Sequence, residues 1–246
     1  MGRIPGATPG RMVDLPGRNR AIWGMAVIEP FIEHQGERRG FWLRKTRTVG
    51  ERLLIVREGY VIPDHLSFRT PIYLGFRSAF GTGGHGTTEG CLIALENTIR
   101  GGERVLDVGT GTGILAVAAR KLGADHVTAI DIDPRACEEA RKNVSRNGVE
   151  ERVVVVEGGI RSVPGRYDVI AANLRTPVLS EILPDLSDRV ERSGVAILSG
   201  ILERELHPFL SLLADRGFDP PSIRGISGCV TLVARRVTEA PPPTPP

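Results

Sequence analysis

The chain has 246 residues, of which 41% are hydrophobic and 25% charged, the balance of a soluble globular protein with one sizeable domain. No apolar run approaches the roughly 18 residues of a membrane span, and the N-terminus lacks the apolar stretch of a secretory signal. The three cysteines, Cys91, Cys137 and Cys229, lie far apart without metal-ligand spacing. We therefore expect a cytoplasmic protein with reduced cysteines, no membrane partner and no metal.

The net charge of +3 conceals an asymmetry along the chain. Residues 1–80 carry 13 Lys and Arg against 7 Asp and Glu, whereas residues 81–246 carry 19 against 22. A basic front could steer RNA or a ribosomal surface towards the protein, or it could be an ordinary solvated, arginine-rich surface. The aromatic side chains of the front could likewise stack on RNA bases or fill a small core: Trp23, Phe31, Phe41 and Trp42.

Both ends of the chain are predicted to be disordered. Residues 1–20 are rich in Gly, Pro and Arg without a hydrophobic period, and residues 238–246 form a proline-rich tail. Residues 21–67 contain short branched and aromatic stretches (AIWGMAVIEPF, FWLRKTRTV, RLLIVRE) that predict a small β-rich segment. We place the main domain at residues 68–237, which opens with a further β-like stretch, TPIYLGF.

In the main domain, short apolar strands alternate with helices, and no helix is predicted before residue 113. The strands are predicted at 104–108, 126–131, 152–157, 167–173 and 195–200, and the helices near 113–122, 134–147, 176–191 and 203–216. The last segment, FDPPSIRGISGCVTLVARR, predicts two strands in an antiparallel hairpin. The pattern therefore predicts an α/β fold: a doubly wound, mostly parallel, seven-stranded, Rossmann-like sheet with a small β-rich N-terminal extension.

The stretch RVLDVGTGTGILAVAARKLG, residues 104–123, predicts a strand, a glycine turn and an amphipathic helix. Alternate glycines allow a tight turn whose backbone N–H groups approach a ligand, although NAD-binding folds use a similar turn. Asp107, just before the turn, would repel a pyrophosphate and attract an ammonium group. Asp131, at the end of the next strand, could hold both ribose hydroxyls. A ligand with a ribose and an amino group but no phosphate is S-adenosylmethionine (SAM).

Two further strand ends favour the same ligand. Glu157 ends the third strand, beside the expected place of an adenine, and Asn173 ends the fourth, at the crevice where open α/β sheets bind ligands. The segment Asn173-Leu174-Arg175-Thr176 lacks the prolines and the aromatic residue of the Asn-Pro-Pro-aromatic segment with which amino-methyltransferases for adenine or glutamine clamp a planar substrate. An aliphatic amine is therefore the expected methyl acceptor.

Five segments together resemble a known family. AFGTGGHGTTEGCLIALE, VLDVGTGTGILAVAARKLGA, DIDPRACEEARKNVSRNGV, AANL and ILSGILE occur in the order seen in the ribosomal protein L11 methyltransferases. These class I SAM-dependent enzymes methylate lysine side chains and an N-terminal amine of one ribosomal protein. The resemblance, over roughly residues 68–236, implies SAM contacts at Thr88, Gly109, Asp131 and Asn173. It also implies that FGTGGHGTTEG, residues 80–90, closes over the methyl-donor site, and that the front segment is shorter than the family's substrate-recognition domain.

No catalytic residue is assigned from the sequence. His85 could be a general base or a histidine that packs within its loop. Methyl transfer depends mainly on positioning, and desolvation beside a cationic sulfonium would lower the pKa of a lysine from its usual value of about 10.4. The side chain of Asn173 and the carbonyl of Leu174 could orient the incoming amine by hydrogen bonds.

We therefore expect a SAM-dependent methyltransferase that acts on an amine of a protein, with a ribosomal protein as a candidate partner. The alternative is a methyltransferase for a small molecule or RNA, and direct RNA contact stays open. A third hypothesis is a non-catalytic SAM-binding protein, which turnover would exclude, or a NAD-binding module, which tight SAM binding without NAD binding would exclude.

Overall fold

The computed structural model describes residues 28–29, 46–75, 86–226 and 228–237. The strands within these ranges are β1 (Ile28–Glu29), β2 (Thr46–Val49), β3 (Leu53–Arg57), β4 (Thr70–Leu74), β5 (Arg104–Val108), β6 (His126–Asp131), β7 (Val153–Glu157), β8 (Tyr167–Asn173), β9 (Val190–Leu202), β10 (Ser222–Ile226) and β11 (Cys229–Arg235). The α-helices are α1 (Gly86–Thr98), α2 (Ile114–Leu122), α3 (Pro134–Arg146), α4 (Thr176–Arg189) and α5 (Leu206–Ala214). None of these helices is both long and apolar enough to cross a bilayer.

The predictions for the two ends of the chain, residues 1–20 and 238–246, lie outside the described residues. Of the first predicted strand stretch only Ile28–Glu29 is described, as β1, and of the second only Thr46–Val49, as β2. The strands and helices predicted from residue 104 onward are all present. Strands β5, β6 and β8 have the predicted bounds, the ends of the other elements differ by at most five residues, and β9 is longer than predicted.

The main sheet confirms the predicted fold class. Its strand order is β1-β10-β11-β9-β8-β5-β6-β7, so the seven predicted strands are joined by β1 at one edge. The run β9-β8-β5-β6-β7 is parallel throughout. The hairpin β10–β11 is antiparallel, and β11 also pairs antiparallel with β9. Parallel pairing brings the carboxyl ends of the five central strands to the same edge of the sheet.

The central strands are buried on both faces, which explains their near-continuous apolar character. In β5, Val105 and Asp107 point to one face, whereas Leu106 and Val108 point to the other. The core on the first face also includes residues of α1, α2 and the strands β2, β3 and β4. The core on the second face includes residues of α4 and α5. Asp107 is therefore directed into an apolar layer between the sheet and its helices.

Helix α1 was missed by the sequence analysis. Its sequence GTTEGCLIALENT contains two glycines and shows no polar stripe, because the helix is buried on nearly all sides between β9, β11 and α2. A helix buried all round lacks the 3.6-residue hydrophobic period by which surface helices are recognised. Its position matters for the site, because its first turn contains Thr88.

Strands β2, β3 and β4 form a separate sheet, in which β2–β3 is an antiparallel hairpin and β3–β4 a parallel pair. Residues from both sides of the predicted domain division at 67/68 thus share one sheet, and that division stays a prediction. Two acidic residues of α1 hold the hairpin. The Glu96 carboxylate accepts hydrogen bonds from the backbone N–H groups of Glu51 (2.8 Å) and Arg52 (3.1 Å), and Glu89 forms an ion pair with Arg47.

We expect Glu96→Ala to lower the free energy of unfolding by about 2–3 kcal/mol, because two backbone N–H groups lose their acceptor and a buried side chain is removed. The matched control is Glu138→Ala on the exposed face of α3, which removes only an ion pair with Lys142 and should cost about 0.5 kcal/mol or less. Urea unfolding of both variants measures the difference. Equal losses would contradict a fastening role for Glu96.

Candidate functional site

The candidate site lies where β5, β6 and β8 reach the same edge of the main sheet. The chain leaves β5 at Val108 and enters the turn 109–113, which leads into α2. The N–H groups of Gly109 and Thr110 both donate to the Ile130 carbonyl at 2.9 Å, so the turn is bonded to the end of β6. This is the crevice in which open α/β sheets bind their ligands.

The alternation of the sequence GTGTG has a direct backbone cause. Gly109, Gly111 and Gly113 have φ values of 71°, 54° and 78°, all in the left-handed region that residues with a Cβ avoid. A Cβ on Gly113 would press on Ala140 of α3, whereas one on Gly111 would meet nothing within 4 Å. The middle of the turn therefore faces open space, which is the geometry of a ligand cradle.

Asp131 is directed at this turn from the end of β6. Its Oδ2 accepts a hydrogen bond from the Gly111 N–H at 2.9 Å, and its Oδ1 accepts one from the Asp133 N–H at 3.0 Å. Each oxygen retains a lone pair, since a carboxylate oxygen can accept two hydrogen bonds. The carboxylate is thus oriented by the backbone and able to accept from further donors such as ribose hydroxyls.

Asp107 is the buried acid of the site, with 1% of its surface exposed. Its Oδ2 accepts from the Thr110 hydroxyl at 2.6 Å and from the Ala116 N–H at 3.1 Å. Its Oδ1 has no hydrogen-bond partner within the described part of the chain. Burial raises the pKa of Asp107 to about 6, although the two hydrogen bonds lower it. The neighbouring Asp131 carboxylate raises this pKa further. At neutral pH Asp107 is therefore a buried anion that a cationic group would stabilise.

Thr88 and Asn173 meet on the other side of the turn. The Asn173 amide donates to the Thr88 hydroxyl at 3.2 Å, which joins α1 to the end of β8. The next residue, Leu174, lies against Gly109, at the position a Cβ of that glycine would occupy. The four residues predicted to contact SAM therefore surround one turn: Gly109 within it, Asp131 bonded to it, and Thr88 and Asn173 beside it.

Those ligand contacts stay predictions, and His85 lies outside the described residues, as do residues 80–84. Glu157 is exposed at the end of β7, and it pairs with Asp131 in the sheet register. The described residues include no group of three His, Cys, Asp or Glu side chains that could hold a metal ion.

Three features at this edge were not recognised in the sequence. Ile132, directly after Asp131, has 80% of its surface exposed. An apolar side chain in this position contributes hydrophobic free energy only when another group covers it. The Thr110 hydroxyl donates a hydrogen bond to Asp107. The polar residue at the second position of GTGTG could have indicated this contact. Ser199 is fully buried and shares a 2.7 Å hydrogen bond with Thr231, a contact with no local signal because the two residues are distant in the chain.

The segment ILSGILE supports the Asn173-Leu174 end of β8. The Leu174 N–H donates to the Ser199 carbonyl at 3.0 Å, and Gly200 has φ 88°. A Cβ on Gly200 would overlap the backbone carbonyl of Leu174. Only glycine permits this approach, because the obstruction is backbone and cannot rotate away.

We expect Gly200→Ala to lower the free energy of unfolding by about 3 kcal/mol, from the left-handed φ and the overlap with Leu174 together. Gly148→Ala is the control, since Gly148 has φ 63° with nothing within 4 Å of an added methyl group and should cost only about 1 kcal/mol. Urea unfolding of both variants measures the difference. Equal decreases in the free energy of unfolding would show that the close approach of Leu174 does not contribute to the cost at Gly200.

The raised pKa of Asp107 predicts a pH-dependent stability. Its pKa in the folded protein, about 6, lies above the ordinary value of 3.8, so its stabilising contribution is complete below pH 4 and is lost as the pH rises through 6. Asp107→Asn cannot ionise and avoids this loss. The free energy of unfolding of the variant, relative to the native protein, should therefore improve by about 2 kcal/mol between pH 4 and pH 8. A difference that is constant with pH would refute the assignment.

The family model described as "Ribosomal protein L11 methyltransferase (PrmA)" matches residues 46–236. A protein named ribosomal protein L11 methyltransferase from Symbiobacterium thermophilum is 39% identical over 223 residues, which cover 87% of this chain and 71% of that protein. One of the same name from an Exiguobacterium species is 42% identical over 159 residues, 64% of this chain and 51% of its own length. The chain thus spans only about half of several relatives that it matches.

Among solved structures, ribosomal protein L11 methylase from Lactobacillus delbrueckii subsp. bulgaricus is similar with a TM-score of 0.74 and 29% identity, over 79% of this chain and all of that one. A precorrin-6y C5,15-methyltransferase from Geobacter metallireducens has a TM-score of 0.52 at 17% identity, over 59% of this chain and 87% of its own, which shows a shared fold alone. The matched range includes the glycine turn, Asp131, Asn173 and the ILSGILE segment. The chain therefore belongs to the ribosomal protein L11 methyltransferase (PrmA) family.

Proposed function

We propose that the protein is a SAM-dependent methyltransferase that transfers methyl groups to amines of a protein, with ribosomal protein L11 as the substrate. The observation that carries the proposal is a buried oxygen of Asp107 that has no hydrogen-bond partner among the described residues, beside a glycine turn that leaves open space at Gly111. Family membership supports the same activity. We place the reaction in the cytoplasm, where ribosomal proteins are made.

The side chains around the glycine turn suit a ligand that has a cationic group at one end and a diol at the other. Asp107 offers an anionic oxygen without a hydrogen-bond partner in the described residues, which suits an ammonium group. Asp131 is oriented by two backbone N–H groups and can accept from two adjacent hydroxyls. Ile132 supplies an exposed apolar surface next to Asp131, which suits the face of a base. When bound, SAM supplies a methyl group that is activated by its sulfonium.

The acceptor side of the site is formed by Asn173 and Leu174. The Asn173 amide nitrogen donates to Thr88, which orients the side chain. The amide oxygen is the atom that would accept from an incoming N–H group. A lysine amine must lose its proton before it can react, and exclusion of water favours the neutral amine. The role of Asn173 is then to hold the neutral amine in line with the donor, because positioning supplies most of the catalysis.

The test is transfer of label from methyl-tritiated SAM to purified ribosomal protein L11, with scintillation counting of the separated protein. We expect label in L11, and a fall in kcat of about 100-fold for Asn173→Ala, since a misplaced acceptor costs about that factor. Glu138→Ala, on the exposed face of α3, is the control and should turn over normally.

If SAM binds but L11 stays unlabelled, L11 is not the substrate. Labelling a lysate and dividing it between protease and RNase then identifies the class of acceptor. Label lost only with protease keeps a protein acceptor, whereas label lost only with RNase overturns it. Undiminished turnover by Asn173→Ala would refute the role given to that residue.

A further inference from the structure

Two asparagines four residues apart, Asn143 in the last turn of α3 and Asn147 directly after the helix, both make hydrogen bonds to backbone outside α3. Asn143 is completely buried, and both ends of its amide are used. Its Nδ2 donates to the Thr112 carbonyl at 2.8 Å, and its Oδ1 accepts from the Gly75 N–H at 3.1 Å. One side chain therefore bridges the glycine turn and the end of β4.

Asn147 has the same chemistry but a different target. Its Oδ1 accepts from the Tyr73 N–H at 2.9 Å, and its Nδ2 donates to the Tyr73 carbonyl at 2.8 Å. It thus pairs with the backbone of β4 as a neighbouring strand would, and its remaining side-chain bond goes to the Asn143 carbonyl at the end of α3. Both residues connect α3 to the β4 end of the small sheet. Only Asn143 also bonds to the glycine turn.

A turn made of left-handed glycines needs such support. Glycine has more backbone freedom in the unfolded chain than any other residue. Ordering a glycine-rich turn therefore costs more conformational entropy than ordering a turn of other residues. Gly109 and Thr110 are held by the Ile130 carbonyl, and Gly111 by Asp131. Asn143 holds the next residue, Thr112, from the opposite side. Successive residues of the turn are therefore each bonded to a neighbouring element.

We propose that Asn143 is a positioning residue for the methyl-donor site: through the Thr112 carbonyl it fixes the orientation of the peptide group between Thr112 and Gly113, and with it the part of the glycine turn that follows Gly111. The proposal rests on the proposed function, because it takes the turn to be the SAM site. The Gly75 bond places the end of β4 on the same amide, so the small sheet and the turn are positioned together.

Asn143→Asp and Asn147→Asp form a matched pair for the test. Each change replaces an N–H donor with an oxygen that faces a backbone carbonyl, and each keeps the oxygen that accepts a backbone N–H, from Gly75 at position 143 and from Tyr73 at position 147. At position 143 that oxygen also keeps its 2.6 Å bond from the Arg146 side chain, which favours a carboxylate there. SAM binding to the full chain is measured by isothermal titration calorimetry at a temperature where both variants are folded. Thermal unfolding without SAM reports the structural cost of each change.

We expect both variants to lower the Tm, but only Asn143→Asp to raise the Kd for SAM, by about ten-fold or more, with Asn147→Asp within about two-fold of the native protein. Native affinity in Asn143→Asp together with a lowered Tm would overturn the proposal and leave Asn143 a structural residue. If Asn143→Asp does not fold, Asn143→Ser takes its place under the same criterion. Failure of the native chain to bind SAM would instead refute the proposed function.

Discussion

The structure depends on holding in place a backbone turn that has little side-chain mass of its own. Three left-handed glycines leave open space beside the middle of the turn, but they contribute no side-chain packing. Order must therefore come from the surroundings: the end of β6, the Asp131 carboxylate and the Asn143 amide. These groups belong to different parts of the βαβ unit. The order of the turn therefore depends on how well that unit is packed.

The same reasoning explains why segments far apart in the chain lie together at the site. Leu174 needs the close approach that Gly200 permits, and Asn173 needs the hydroxyl of Thr88. AANL, ILSGILE and the start of α1 are thus three parts of one contact. Because backbone meets backbone at Gly200, the approach of Leu174 to Gly200 is insensitive to side-chain rotamers, unlike the bond between Asn173 and Thr88.

Electrostatics at the site acts against the stability of the fold. Asp107 is buried in an apolar layer, its carboxylate has one oxygen without a partner in the described residues, and its pKa is raised to about 6. Such a group destabilises the folded protein at neutral pH. Residues that violate the rules of core formation are expected at functional sites, where a ligand of opposite charge compensates.

The sequence by itself determined the main sheet and the elements around the glycine turn. Strands such as β5 and β6 and helices such as α2 and α3 were predictable because their signals are local: apolar runs, a hydrophobic period, and Asp133 before Pro134 at a helix start. The acids at strand ends were also predictable, since parallel strands end at one edge.

Tertiary structure alone decided the rest. Helix α1 is buried on nearly all sides and shows no period, so only its neighbours reveal it. The bond between Asn173 and Thr88 joins residues 85 positions apart, and that between Asn143 and Gly75 joins residues 68 apart. The physical reason is that a local pattern reports which face of an element is buried, whereas the partner on that face is chosen by packing across the whole domain.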